Sequence, residues 1–116
     1  MILVLGGVGA GKKEYALSLG YRVDDFTSDP YDGKPVLYGL ETLVRKDPLS
    51  ADVLFSAACG KEVVLCAEVG SGVIPLDRGE REYREAVGRL SVRLAKEATA
   101  VVRVVAGIPA VIKGEV

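Results

Sequence analysis

The sequence predicts an α/β domain with a mainly parallel sheet flanked by helices. Three observations point there. Met1-Ile-Leu-Val-Leu5, Glu62 to Ala67 and Ala100 to Val105 are short apolar runs without polar alternation, as in strands buried on both faces. Between the last two lies a long stretch, Asp77 to Ala98, with helical spacing of its apolar residues. The chain has 116 residues, 49% of them hydrophobic, which fits one domain over 1–116 with a real core.

Each element has its own justification. The first run meets a glycine cluster and is expected in the centre of the sheet. Lys12 to Leu19 is rich in helix formers and Gly20 offers a stop. Tyr21 to Lys34 is polar and irregular, with Asp24, Asp25, Asp29, Pro30, Asp32 and Gly33, and reads as a functional loop. Pro35 to Tyr38 is a short strand, and Leu40 to Arg45 a helix broken by Asp47-Pro48. Ser50-Ala-Asp52 caps a second helix through about Ala58, ending at Gly60. Val69 to Pro75, rich in glycine and apolar residues, reads as a shaped loop. In the long helix, Tyr83, Ala86, Val87, Leu90, Leu94 and Ala98 form the buried face, and most of its arginines the solvated one. After Val105, Gly107-Ile-Pro109 turns the chain into Ala110 to Ile112.

Composition removes several function classes. The formal net charge is -1, from 15 basic and 16 acidic residues, so nothing at whole-chain level points to nucleic acid. No apolar stretch is long enough for a membrane span. Met1 to Leu5 lacks the basic flank of a signal peptide, and a cytoplasmic location is expected. Cys59 and Cys66 read as reduced, buried thiols too isolated for a metal site. There is no histidine, which removes imidazole catalysis and ligation.

The strongest motif is Gly6-Gly7-Val8-Gly9-Ala10-Gly11-Lys12, a GxxxxGK between a buried strand and a helix. Its glycines let backbone amides turn toward phosphate oxygens, and the helix start adds positive potential. Lys12 reaches the terminal phosphates. The same residues also suit a glycine-rich turn without a ligand. A full P-loop continues with Ser or Thr, whose hydroxyl binds Mg2+; here Lys13 follows, so phosphate binding is expected but the metal position is altered. The dinucleotide GxGxxG pattern fails at Lys12 and at Glu14. Glu68 ends a buried run on the edge where P-loop enzymes place an acid. It is a candidate catalytic residue with Lys12, or an ordinary salt-bridging glutamate.

The glycine motif, together with Glu68-Val-Gly-Ser-Gly-Val-Ile-Pro75, resembles the adenosylcobinamide kinase/adenosylcobinamide-phosphate guanylyltransferase family of cobalamin biosynthesis. Arg81, Tyr83-Arg84, Gly88-Arg89, Leu94-Ala95 and Val104-Val105-Ala106-Gly107-Ile108-Pro109 with Lys113 are similar to later blocks of that family. The resemblance covers about residues 1–19 and 61–113. It implies a P-loop NTPase-like fold, GTP or ATP as cofactor, a corrinoid (adenosylcobinamide) as substrate, and a homo-oligomer. Members guanylylate a histidine, a route closed here. Tyr38 aligns with an acidic position and Lys13 with the metal-binding serine, so a catalytically reduced binding or partner protein stands as the alternative to a kinase.

Overall fold

In a computed structural model, residues 1–68 and 77–116 are described. Among these residues six strands form one sheet in the order β2-β3-β4-β1-β5-β6. They are β1 (Ile2–Gly6), β2 (Phe26–Thr27), β3 (Val36–Leu37), β4 (Val63–Ala67), β5 (Ala100–Val105) and β6 (Ile108–Lys113). All neighbours run parallel except β5 and β6. The expected α/β class and the central β1 are both observed, with Ile2 opposite Val63 of β4 and Ala100 of β5.

The four α-helices among the described residues are distributed unevenly. Helices α2 (Leu40–Lys46), α3 (Ala51–Cys59) and α4 (Arg78–Glu97) cover one face. There Leu40, Val44, Leu54, Ala58, Tyr83, Val87, Leu90 and Leu94 pack against Leu3, Val64, Cys66 and Val101. Helix α1 (Lys12–Ser18) lies on the other face, where Ala16 meets Val4, Leu65, Val102 and Val104. The predicted buried stripe of α4 is found there, with Ala86 at its margin, and Asp77 caps that helix by accepting from the Gly79 N–H at 2.8 Å.

Two expectations change. The irregular stretch Tyr21 to Lys34 contains the edge strand β2 and a single turn at Val23–Asp25. Two paired residues are too few to show periodicity. The final turn is also tighter than expected: Ala106 and Gly107 both have positive φ (49° and 78°), and Ile108 already pairs with Val105. That is the two-residue hairpin whose twist suits antiparallel strands. Pro109 is thus inside β6, tolerated because β6 is an edge. The predicted loop at 69–75 lies outside the described residues.

The acidic loop before β3 is held by a buried lysine. Lys61 Nζ donates to the carbonyls of Asp32 and Lys34, both at 2.7 Å, and to Asp32 Oδ1 at 3.2 Å. The Asp32 carboxylate also accepts from the Thr27 hydroxyl and the Lys34 N–H. These bonds, the Thr27 hydroxyl foremost, hold the Asp32 carboxyl below the usual carboxylate range. Such a group stabilises the fold above its unfolded pKa, and that contribution disappears as pH falls through the depressed folded value. Below about pH 4 the melting temperature should therefore drop, and Asp32→Asn should flatten that acid limb. An unchanged acid limb in Asp32→Asn melts would show that other carboxylates dominate it.

Candidate phosphate-binding site

The site is built at the carboxyl edge of the sheet, beside β1. The connection leaving β1 crosses toward β2 on the α1 face, whereas the one leaving the adjacent β4 crosses toward β5 with α4 on the opposite face. Adjacent strands whose connections diverge leave a crevice at their carboxyl ends, where α/β proteins bind ligands.

The glycine loop fits closely into this edge. Gly9 and Gly11 have φ of 75° and 104°, which side chains rarely adopt. A Cβ on Gly6 would lie 2.7 Å from the Val104 carbonyl oxygen, and one on Gly11 would lie 3.2 Å from the Gly107 Cα. The Ala10 carbonyl accepts from the Gly107 N–H at 2.8 Å, so the β5–β6 turn braces the loop. Lys12 folds back over the loop, and its Nζ donates to the Gly6 and Gly7 carbonyls, each at 2.9 Å.

A cavity of about 410 Å³ opens over these residues. Val8, Gly9, Ala10, Gly11, Lys12 and Lys13 form one wall. Tyr38, Gly39, Glu41 and Thr42, at the start of α2, form the other. The structure therefore brings Val8 to Lys13 of the predicted loop to one cavity, whereas Gly6 and Gly7 do not line it and are joined to it by their bonds from Lys12. Behind Lys13 and Tyr38 a smaller apolar cavity of about 210 Å³ continues between Leu17, Val23 and Phe26.

Glu68 is placed differently from Lys12. Its carboxylate receives two bonds from Arg103 of β5, at 2.8 and 3.1 Å, and its N–H donates to the Gly6 carbonyl at 2.9 Å. The ion pair thus bridges over the end of β1, and the bonds to Glu68 raise the pKa of Arg103. Two carboxylates do line the cavity, Glu14 and Glu41, and Glu41 Oε2 accepts from the Ala67 N–H at 3.3 Å. Glu41 was not singled out from the sequence; it is an acid in the first turn of α2. Its signal was its place, three residues after Tyr38 at the end of a strand.

Lys13 and Tyr38 touch: the ammonium sits 4.2 Å from the ring centroid. A magnesium ion beside Lys12 would need a neutral or anionic oxygen where Lys13 stands, and a protonated amine has no lone pair to give. Among the described residues no group of three or more Asp, Glu, Cys or His side chains can hold a metal. The residues present do not fit a resident divalent ion at that position.

The two thiols are free. Cys66 is buried, and burial together with the nearby Glu41 pushes its pKa up to about 12, while Cys59 is half-buried and its pKa is also raised. Among the described residues no helix is long and apolar enough to cross a membrane.

A family model described as cobinamide kinase/cobinamide phosphate guanyltransferase matches residues 44–112, more than half of the chain. The match runs from the end of α2 through β6, and the glycine loop lies outside it. No curated protein matches the chain.

Proposed function

The chain belongs to the cobinamide kinase/cobinamide phosphate guanyltransferase family of cobalamin biosynthesis, and we propose that its glycine loop binds the phosphates of GTP or ATP. The observation that carries this reading is the cavity lined by residues 8–13, Lys12 among them, together with Glu41 and Thr42. On binding, Lys12 exchanges two carbonyl acceptors for phosphate oxygens, a charge-assisted bond that more than replaces what it gives up. Glu41, fixed on the Ala67 amide, faces the hydroxyl or the phosphate of a second ligand. Glu68, clamped by Arg103, supports the β1 end that presents the loop.

Adenosylcobinamide is the acceptor this reading assigns, with phosphoryl transfer as the reaction. Guanylyl transfer through a histidine has no residue to carry it, since the chain contains none. The second reading, a nucleotide-binding partner protein without turnover, is favoured by Lys13 and Tyr38 at the metal side of the site. A homo-oligomer is part of the proposal, supported by β6, whose Ile108 and Ile112 are 70% and 61% exposed on a free edge strand. A cytoplasmic location agrees with the free thiols.

Thermal-shift titration tests the reading. GTP or ATP should raise the melting temperature saturably, as any ligand of the native state does. A further rise with adenosylcobinamide, and labelled phosphate on that corrinoid, would select the kinase over the partner protein. If neither nucleotide shifts the transition, the loop is a structural turn.

A further inference from the structure

We propose that the Lys13 ammonium, held over the Tyr38 ring, takes the place of a divalent cation, so that the phosphates of a nucleotide bind this loop without metal. The inference rests on the reading that the loop binds a nucleotide, and it specifies what balances the ligand's charge. Its basis is the meeting of two residues from different elements. Lys13 stands in the first turn of α1 and Tyr38 follows β3, yet their side chains are in contact at 4.2 Å and line the same cavity as Lys12.

The ring does two things for the amine. Its negative face limits the conformations of a long exposed side chain, so less entropy is lost when phosphate arrives. It also leaves the positive charge uncancelled. Among the described residues Lys13 makes no salt bridge, whereas Arg78, Arg84, Arg89, Arg93 and Arg103 each pair with a carboxylate. An ammonium is a compact charge with three donors, suited to oxygens of two neighbouring phosphates. The same ammonium repels a divalent ion from the adjacent position. The carboxylates on the cavity are Glu14 and Glu41, and one oxygen of Glu41 is already engaged by the Ala67 amide.

The test is isothermal titration of the full chain with GTP, ATP and inorganic tripolyphosphate, each in EDTA and in excess magnesium. For the unmodified protein the dissociation constant in EDTA should lie within about threefold of that in magnesium, since one ammonium substitutes for the ion. Lys13→Met should weaken binding in EDTA by about tenfold to a hundredfold, the worth of one charged hydrogen bond. Lys13 is exposed, so the substitution leaves the core intact, and an unchanged melting temperature without ligand will confirm it. Tyr38→Phe should bind like the parent, and Tyr38→Leu should lose part of the Lys13 effect. Lys13→Ser should bind in magnesium and lose that binding in EDTA.

The inference is overturned if the unmodified protein binds in magnesium but at least about tenfold more weakly in EDTA. Loss of that metal-dependent binding in Glu41→Gln would then name Glu41 as the ligand and leave the nucleotide reading standing. A Lys13→Met protein that binds like the parent in EDTA also overturns it. If neither nucleotide nor tripolyphosphate binds in either condition, the nucleotide reading itself falls, and this inference with it.

Discussion

Lys12→Ala is expected to raise the dissociation constant for GTP or ATP by about a hundredfold or more, the loss of two charged hydrogen bonds from one ammonium. The magnitude follows from where Lys12 sits. Lys12 lines the cavity while its amine donates to the Gly6 and Gly7 carbonyls, so phosphates in that cavity should meet it whichever nucleoside they carry. Of the two carbonyls it releases, that of Gly6 keeps the Glu68 N–H at 2.9 Å and that of Gly7 belongs to an exposed residue, where water can satisfy it, so the fold should survive. Calorimetric titration gives the affinity, and circular dichroism with a melt shows that the sheet persists. Binding equal to the parent's would mean that the phosphates sit elsewhere.

Leu94→Ala is expected to cost about 2–5 kcal/mol, the range for emptying a well-packed leucine site. Leu94 is fully buried in the last turns of α4, in the larger of the two apolar clusters. Domains of this size have only about 5–15 kcal/mol in total, so the variant should be markedly less stable and partly unfolded on warming. Urea unfolding should show a lower midpoint with an unchanged slope. Val92→Ala, two residues away but 56% exposed, is the control and should stay within about 0.5 kcal/mol of the parent. Equal effects for the two would mean that α4 is rotated on the sheet.

How well each element could be foreseen depended on what buries it. β1, β4 and β5 announce themselves because they are covered on two faces for most of their length, which demands uninterrupted apolar residues. α4 is legible because one face is buried and the other carries ion pairs. β2 and the start of β6 were not legible: one is two residues long, and the other is exposed throughout and so has no buried face to pattern it. Lys61 was invisible for a different reason. A buried lysine has no signature until the carbonyls of Asp32 and Lys34 are seen converging on it.

The site divided along the same line. The glycine loop could be read because its demands are local: a buried strand before it, a helix after it, and backbone angles that glycine tolerates. Lys13 and Tyr38 could each be read as departures, but their contact depends on α1 packing against the β3 side of the sheet. Glu41 enters the cavity by the same tertiary route, and Arg103 reaches Glu68 only because β5 and β4 flank β1. Residues set by local geometry were foreseeable, and residues set by strand order were not.

The central place of β1 also governs the order in which this chain can be assembled. During synthesis β1 emerges ahead of its partners, yet Ile2 has no neighbour to pair with until Val63 and then Ala100 have been made. Parallel pairing over such separations is slow, because the intervening chain must be closed into a loop before any contact repays it. This apolar strand therefore waits uncovered on the nascent polypeptide, where it is a natural target for chaperones. Since the glycine loop hangs from β1 and is braced by Gly107, the candidate phosphate site is complete only once the β5–β6 turn is in place.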